Sequence, residues 1–393
     1  MPTWKMFNES AFFILLGVAW IGHAYLWTGL LNHLYGRPIP KPLLKVWRLF
    51  TGVAILALPF LPWGIGSYEF PQFAFFRNEI VGRFFENYIW FCVFVGGMFF
   101  PAVTLYRILR RVPRAVVSER SDTVDYKKEL GRVVVGDGKL RRLSTLPFND
   151  VFKVDFTELS LALEKLPAAW EGLRIDVLSD LHFCGTPSKA FFDRVIDRLT
   201  EGPKPDLVVL AGDYVDTDRH REWIVPILGR LSGIEGQFAI LGNHDAYHDP
   251  EAVRAELRAA GYAVLGNSWT EVDIRGTRCV IIGHEGPWFR PVPNLSHVPS
   301  GSFRLCISHS PDSFAWAVAN RIGLMLCGHV HGGQIRAPVI GSIFVPSIYG
   351  RRFDMGVFQS RSTVMAVGRG LSGKEPLRFR CRPQVLRLQL TTR

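Results

Sequence analysis

Five short apolar runs between residues 173 and 331 each end in or lead into a cluster of Asp, Asn or His side chains. Borderline divalent metals prefer these side chains as ligands. One such carboxylate would more often cap the next helix, but five strand ends with the same chemistry indicate a shared metal site. The clusters are Asp180 and His182; Asp213 and Asp216; Asn243, His244 and Asp245; His309; and His329 and His331.

The spacing within two clusters would aim their side chains at a common point. Asp180 and His182 are two residues apart, as are His329 and His331. In extended chain, residues at this spacing share one face. The adjacent Gly328 has no side chain and allows the backbone to approach a bound group closely.

The run that leads to Asp213 shows how the fold would position such a ligand. Leu207–Ala211 is wholly apolar and stops at Gly212-Asp213, which is typical of a buried parallel strand. The strand would deliver the Asp213 carboxylate to the C-terminal edge of a sheet. Open α/β sheets bind their ligands at that edge.

The order of elements predicts an α/β fold. After residue 171, strands and helices alternate at first, and strands dominate later. This pattern favours two packed mixed β-sheets flanked by helices. We therefore expect residues 171–393 to form the domain that carries the metal site, and residues 115–170 to be a connector with some strand content.

Residues 1–114 are predicted to be an α-helical membrane region with about three transmembrane helices. Three stretches are apolar and long enough, or nearly long enough, to cross a bilayer. Trp and Tyr residues cluster near their ends, as interfacial anchors do. The second stretch contains Pro59 and Pro62 and can alternatively be re-entrant, which would reverse the side of the N-terminus. The stretches are Ala11–Leu31, Leu49–Trp63 and Asn87–Leu109.

Basic residues flank these stretches unevenly. By the positive-inside rule, the connection after the first stretch and everything after residue 110 would lie in the cytoplasm. The second connection carries Arg77 and Arg83, which nearby glutamates offset. The basic residues on the predicted cytoplasmic side are Arg37, Lys41, Lys45, Arg48, Arg107, Arg110, Arg111, Arg114 and Arg120.

Charge and cysteine content exclude some classes of protein. Residues 1–114 hold 11 Lys and Arg against four Asp and Glu, whereas the remaining residues hold 35 against 31. A near-neutral globular part without an aromatic-basic strip is not typical of nucleic-acid binding, so no nucleic-acid partner is expected. The six cysteines form no CxxC pair and do not require an oxidising compartment.

The order of the clusters resembles that of the calcineurin-like metallophosphoesterases. The matching motifs are Asp180-x-His182, Gly212-Asp213-x-x-Asp216, Gly242-Asn243-His244-Asp245, His309 and Gly328-His329-x-His331. The resemblance covers about residues 170 to 335. The form Ser179-Asp180-Leu181-His182 and the extension Gly332-Gly333-Gln334 look like the membrane-associated bacterial branch with the YkuE- and YaeI-like phosphohydrolases. The resemblance implies a four-layer sandwich fold and a location in the bacterial inner membrane.

The resemblance also implies a role for each motif residue. Two divalent ions (Mn, Fe or Zn) are expected, with Asp213 bridging them. His244 would act on the reacting phosphoryl group with help from Asp216, and Asp245 would serve the turn. The first ion would be held by Asp180, His182, Asp213 and His331, and the second by Asp213, Asn243, His309 and His329.

Such a site would hydrolyse a phosphate ester or pyrophosphate without a covalent nucleophile. Two ions roughly 3.5–4 Å apart can activate a hydroxide and clamp an in-line displacement at phosphorus. His284-Glu285 lies outside the family pattern, and a surface loop is slightly favoured over a supporting contact. The Pro-rich segment 283–302, which contains Trp288, is predicted to cap one side of the cleft or to serve packing. A direct role of Cys184 in the chemistry is disfavoured.

The membrane region makes a lipid-linked substrate the preferred hypothesis. Within the resembled branch, one matching activity is hydrolysis of UDP-2,3-diacylglucosamine in lipid A biosynthesis. Arg336, Arg351 and Arg352 would contact the second phosphate or the nucleotide, or would be solvated surface. The alternatives are a phosphodiesterase or phosphatase for soluble or protein substrates, and a membrane scaffold with a vestigial metal site.

Overall fold

The computed structural model describes residues 9–60 and 79–393. The chain divides into two compact units between Arg111 and Val112. Trp63, at the end of the second predicted stretch, and Arg77, in the second connection, lie outside the described residues.

The described part of the first unit is helical. The third helix continues through a π-helical segment, Val95–Phe99, into the fourth. Three spans are long and apolar enough to cross a membrane, judged by length and composition: Ser10–Tyr35, Lys41–Phe60 and Ile80–Ile108. The helices are α1 (Glu9–Tyr35), α2 (Lys41–Ala57), α3 (Glu79–Phe94) and α4 (Phe100–Ile108).

Helix α2 begins earlier than the apolar stretch that predicted it. Its N-cap is Pro40, and a second proline occupies its first turn. Proline suits this position because its φ is already helical and its missing N–H is not needed there. Lys41, Lys45 and Arg48 lie in these first turns. Because they are charged, the turns were not counted in the apolar stretch that predicted the helix.

Close packing and polar side chains, among them His23, connect the helices of this unit. The His23 ring nitrogens on α1 lie 2.6 Å from Tyr88 Oη on α3 and 3.0 Å from the Ala54 carbonyl oxygen on α2. A Cβ added to Gly22 would lie 2.7 Å from the backbone nitrogen of Gly96. Small residues that allow such close approach are a common means of helix association in membranes.

The second unit contains two main sheets, a small two-stranded one and short helices. Its helices are α5 (Tyr126–Leu130), α6 (Lys189–Glu201), α7 (Ile224–Leu228), α8 (Pro250–Ala259) and α9 (Phe314–Ala319). Its strands are β1 (Val116–Asp125), β2 (Lys153–Leu163), β3 (Arg174–Leu178), β4 (Leu207–Leu210), β5 (Gly236–Ala239), β6 (Ala263–Val264), β7 (Trp269–Ile274), β8 (Thr277–His284), β9 (Arg304–Ser308), β10 (Leu324–Cys327), β11 (Arg336–Ala337), β12 (Gly341–Ser342), β13 (Gly356–Ser360), β14 (Thr363–Val367) and β15 (Gln384–Thr392).

Both main sheets are mixed, which confirms the predicted fold class. The seven-stranded sheet has the order β1-β2-β15-β3-β4-β5-β6. Strands β3 to β6 are parallel, and β15 runs antiparallel to β3. The six-stranded sheet has the order β13-β14-β10-β9-β8-β7. Its four inner strands are parallel and its two edge strands antiparallel.

Alternating side chains along the central strands divide the core into layers. On β4, Val209 faces the six-stranded sheet in one buried cluster, whereas Val208 and Leu210 belong to a second cluster with α6. On the other sheet, Met325 of β10 packs in a third cluster with Phe314 of α9. The result is a helix–sheet–sheet–helix sandwich, because successive strand side chains point to opposite faces.

Helix α6 shows how local sequence fits this arrangement. Ser188 caps its N-terminus by accepting a hydrogen bond from Phe191 N. Phe192, Val195 and Ile196 lie on its buried face. Burial of a side chain of this size stabilises the fold by about 1.5–3 kcal/mol.

The segment 115–170 is part of the seven-stranded sheet rather than a connector. Strand β1 pairs antiparallel with β2, and β2 pairs in parallel with β15 near the C-terminus. Most of β1 is exposed and reads Val-Val-Ser-Glu-Arg-Ser-Asp, so it lacks the apolar alternation by which strands are recognised. Strand β2 in turn depends on β15, which lies far away along the chain.

Candidate metal centre

The predicted ligands follow neighbouring parallel strands whose C-terminal ends meet. Asp180 follows β3, Asp213 follows β4 and Asn243 follows β5 in one sheet. His309 follows β9 and His329 follows β10 in the other. The structure thus brings together side chains that the sequence separates by up to about 150 residues. The site lies at the edge that open α/β sheets use for ligands.

The backbone at the ligands departs from ordinary conformations. Asp180, His182, Asp213, His329 and His331 all have positive φ, between 47° and 71°. Such conformations cost about 1–3 kcal/mol each for residues other than glycine and cluster at functional sites. Five of them together turn these side chains inward where each strand ends.

The first ligand group consists of Asp180, His182 and His331, whose ligand atoms all lie within 4.8 Å of one another. The Nε2 atoms of His182 and His331 are 3.2 Å apart. His331 Nε2 is also 3.6 Å from Asp180 Oδ1. The three atoms therefore converge on one point, as the ligands of a single ion would.

The second ligand group consists of Asp213, His309 and His329. His309 Nε2 lies 3.3 Å from Asp213 Oδ2 and 3.0 Å from Asn243 Oδ1. The same Asp213 Oδ2 is 3.6 Å from His182 Nε2 in the first group. Asp213 thus also lies close to the first group, as the resemblance implies for a bridging ligand.

The residues fit bound cations. His329 Nε2 is buried without a hydrogen-bond partner within the described part of the chain, so it is available as a ligand. Burial lowers the pKa of His309, but the Asp213 carboxylate outweighs burial and raises this pKa to about 9. The buried carboxylates thus favour positive charge. Metal ions would take the place of these protons, because histidine binds metal in its neutral form.

Three of the proposed ligand histidines are oriented by their other ring nitrogen. His309 Nδ1 lies 2.8 Å from the carbonyl oxygen of Ala211, and His331 Nδ1 lies 3.1 Å from that of Ser372. His182 Nδ1 is 2.9 Å from Asp216 Oδ2. Such contacts fix the tautomer and leave Nε2 for the metal.

Asp216 also holds the predicted catalytic histidine. Its Oδ1 pairs with His244 Nδ1, and the backbone nitrogen of His244 donates to Asp213 Oδ1 over 2.7 Å. The His244 side chain is 19% exposed, whereas Asp216 is buried. His244 can therefore meet a substrate while Asp216 keeps its ring in place.

Asp245 serves the turn, in the role that the resemblance implies. Its carboxylate is fully buried and accepts hydrogen bonds from the backbone nitrogens of Asp213, Tyr214 and Gly242, each over 2.8 Å. These bonds join the loops after β4 and β5. Gly212 is needed at the same contact, since a Cβ there would lie 2.6 Å from Gly242 N and its φ is +91°.

The preference for a surface loop at His284-Glu285 is wrong. Glu285 is 1% exposed. Its carboxylate accepts a hydrogen bond from the backbone nitrogen of Leu241 over 2.7 Å and forms a bidentate ion pair with Arg254. It therefore supports the loop that carries Asn243. His284 is buried against Trp316, and burial lowers the pKa of His284 to about 4. The sequence carries no local sign of these contacts.

Arg378 is a supporting residue that sequence reasoning missed. It is 1% exposed and donates to the carbonyl oxygens of His331 and Arg369 over 3.1 and 2.8 Å. It also donates to Ser372 O, the acceptor of His331 Nδ1. Arg378 therefore fixes the backbone around His331. Its surroundings, Arg-Phe-Arg-Cys-Arg, are typical of an exposed segment and conceal this role.

The three predicted substrate-binding arginines differ in their surroundings. Arg336 bonds to Asp354 and to the carbonyl oxygen of Gly332. Arg351 donates to two backbone carbonyl oxygens within the same segment. Arg352 is exposed and lies over the Phe353 ring. Of the three, Arg352 is thus the one most accessible to a substrate.

Cys184 is unsuited to nucleophilic chemistry. It is partly buried, and its thiol lies 3.4 Å from the carbonyl oxygen of Thr186. Burial raises the pKa of this thiol to about 11. The thiol is therefore protonated at neutral pH, and the thiolate is the reactive form.

Comparisons with known proteins agree with this geometry. The family model for calcineurin-like phosphoesterases matches residues 173–333. The metallophosphoesterase YkuE of Bacillus subtilis is 30% identical, over 59% of this chain and 84% of its own length. The phosphodiesterase YaeI of Escherichia coli is 31% identical, over 55% of this chain and 82% of its own. A zebrafish (Danio rerio) transmembrane protein with a metallophosphoesterase domain is 25% identical, over 80% of this chain and 74% of its own.

The first two relatives are matched over most of their length, and the family model covers every strand end that carries a predicted ligand. The structure adds closely spaced groups of side chains at those strand ends that could hold metal ions. By sequence, fold and site, the chain belongs to the calcineurin-like metallophosphoesterases, hydrolases that act on phosphate esters.

Proposed function

We propose that this protein is a membrane-anchored phosphoesterase with two divalent ions that cleaves a lipid-linked phosphate ester or pyrophosphate. The position of Asp213 carries the proposal. One of its carboxylate oxygens lies within 3.6 Å of a histidine from each ligand group, with the partly exposed His244 beside it. That arrangement suits two ions that share one ligand.

The chain's own side chains would hold both ions. When bound, such ions neutralise phosphoryl charge and lower the pKa of water. Manganese, iron and zinc all suit this mixture of carboxylate, amide and imidazole ligands. The proposed ligands are Asp180, His182, Asp213 and His331 for the first ion, and Asp213, Asn243, His309 and His329 for the second.

His244 would act directly on the substrate. Asp216 holds Nδ1 of its ring, so Nε2 is the nitrogen left to face a phosphoryl or leaving-group oxygen. A protonated His244 can donate from Nε2 to the departing oxygen, and Asp216 would stabilise the positive charge of the ring. Proton donation of this kind contributes about 10²- to 10⁴-fold to rate.

The membrane unit supports a lipid-linked substrate. Within the described residues, three helical spans long and apolar enough to cross a membrane precede the catalytic unit, and a relative with the same domain is named as a transmembrane protein. UDP-2,3-diacylglucosamine is the specific substrate that we propose. Arg352, which is exposed, would contact its nucleotide or second phosphate. The proposed location is the bacterial inner membrane, with several spans and a cytoplasmic catalytic unit.

The decisive experiment assays the detergent-solubilised full chain with Mn²⁺ against UDP-2,3-diacylglucosamine and bis-p-nitrophenyl phosphate in parallel. We expect turnover of both, loss of turnover with EDTA, and a higher kcat/KM for the lipid substrate. His244→Ala is the control, since it should keep its metal and lose about 10²- to 10⁴-fold in kcat.

Each outcome tests a different part of the proposal. Turnover of the soluble diester alone would refute the lipid substrate and favour a phosphodiesterase for soluble substrates. Metal-loaded protein that hydrolyses neither compound would contradict the phosphoesterase proposal and favour the vestigial scaffold. Loss of metal from His244→Ala would contradict the role of His244.

A further inference from the structure

Trp288 borders the second ligand group. Its ring centroid lies 4.7 Å from that of His329 and 5.7 Å from that of His309. The side chain is partly exposed, so part of its surface remains open to solvent beside the ligands. A partly open indole at this distance can contact whatever is attached to a bound phosphoryl group.

The segment around Trp288 is clamped at both ends by one side chain. Asn267 Oδ1 accepts from Glu285 N over 2.7 Å, and Asn267 Nδ2 donates to Phe289 O over 2.9 Å. Arg254 reinforces the clamp, since it pairs with Glu285 and lies 5.4 Å from the centre of the Phe289 ring. Trp288 is thus held in place before any ligand binds, which lowers the entropic cost of binding.

Trp288 and His244 border different parts of the ligand set. His244 groups with His182 and Asp213, and its ring centroid is 4.6 Å from that of His182. Trp288 contacts the histidines of the second group. A phosphoryl group bound beside Asp213 would therefore have the proton donor His244 on the side of the first ligand group. The indole of Trp288 would lie on the side of the second.

We infer that Trp288 is a specificity-determining residue. It stacks on a planar aromatic group that is carried by the ester substituent that stays on the phosphorus. The inference rests on the proposed phosphoesterase function and names a class of substrate for it: diesters whose retained group is an aryl ring or a base. Indole faces bind flat π-systems through offset stacking, which alkyl groups cannot match.

Binding of two unreactive probes to the metal-loaded full chain tests the inference. Diphenyl phosphate and dimethyl phosphate carry the same charge, and only the first offers aromatic rings. We expect wild-type protein to bind diphenyl phosphate about tenfold more tightly, in line with base–aromatic stacking. In Trp288→Ala, the ratio of the two Kd values should fall close to the ratio with which the two probes partition into detergent in the absence of protein. Trp288→Phe should retain most of the preference.

A second tryptophan provides the matched control. Trp269 bonds through its Nε1 to the carbonyl oxygen of Asn294 in the same Pro-rich segment, so Trp269→Ala disturbs that segment without removing the proposed stacking ring. Its Kd ratio should match wild type. An equal preference in wild type and Trp288→Ala, or the same loss in Trp269→Ala, would overturn the inference. Because the readout is binding, absence of turnover would count against the proposed function alone.

Discussion

Asp213 and Asp216 follow the same strand three residues apart, but their carboxylates have different neighbours. Asp213 faces histidines of both ligand groups. Asp216 pairs with ring nitrogens that point away from the ligand groups, on His182 and His244. At the scale of single residues, this difference would separate the proposed ligand Asp213 from Asp216, which we propose positions a ligand and a proton donor.

The pair Asp213→Asn and Asp216→Asn tests this difference. Asp213→Asn should lose metal that saturating Mn²⁺ does not restore, because both ions would lose a charged ligand. Asp216→Asn should load fully with metal and lose about 10- to 100-fold in kcat, as is typical for residues that orient a metal-bound histidine. Metal content by mass spectrometry and kcat on bis-p-nitrophenyl phosphate check both.

The two variants serve as controls for each other, since each replaces one buried carboxylate by an amide of the same shape. Equal metal loss in the two would mean that Asp216 is itself a ligand. Full metal loading of Asp213→Asn would remove the bridging role assigned to Asp213.

At the scale of elements, the loop after β5 depends on contacts from outside its own segment. Glu285, at the end of β8, accepts the backbone nitrogen of Leu241 and pairs with Arg254 on α8. Asp245 bonds the same loop to the residues after β4. Asn243 and His244 are therefore positioned by a neighbouring strand and a helix together.

Glu285→Gln should destabilise the catalytic unit by about 3 kcal/mol, because the largely buried Arg254 loses its buried ionic partner and keeps only the exposed Glu251. The affinity for metal should also fall, since the loop that carries Asn243 loses support. Denaturant unfolding followed by tryptophan fluorescence gives the first quantity, and a Mn²⁺ titration gives the second.

Arg278→Gln is the matched control for Glu285→Gln. Arg278 is 76% exposed and lies 3.9 Å from Glu271, and exposed ion pairs contribute little to stability. The supporting role of Glu285 would be refuted if the two variants were equally stable and bound metal equally well.

At the scale of the whole molecule, the described chain joins a helical unit to an enzyme unit. The second candidate span, Lys41–Phe60, is longer than the stretch that predicted it. Its length favours a complete crossing over a re-entrant loop. Three crossings would place the N-terminus and residue 110 on opposite sides of the membrane.

Reporter fusions test this topology. A green fluorescent protein fused after residue 110 should fluoresce, and alkaline phosphatase at the same position should be inactive, because we expect this side to be cytoplasmic. A cysteine added at the N-terminus should react with an impermeant reagent in intact cells. An active phosphatase fusion after residue 110 would overturn the proposed orientation, and an unreactive N-terminal cysteine would favour the re-entrant alternative.

The sequence by itself determined the chemistry of the site and the kind of element that carries each ligand. An apolar run that ends in Asp or His is a local property, and parallel strands place such ends at one edge. This is why the ligand clusters, the two mixed sheets and the apolar spans could all be predicted. The different roles of Asp213, as a bridging ligand, and of Asp216, as a residue that assists His244, were implied by the family resemblance alone.

The tertiary structure decided everything that depends on partners far apart in the chain. It buried Glu285 against Arg254, placed Arg378 behind His331 and brought Trp288 beside the ligands. It also added β1 and β2 to a sheet completed by the C-terminal strand. Local residue patterns do not indicate these contacts. The stability of a buried charge, or of a strand whose sequence is typical of exposed segments, comes from neighbours that only folding brings close.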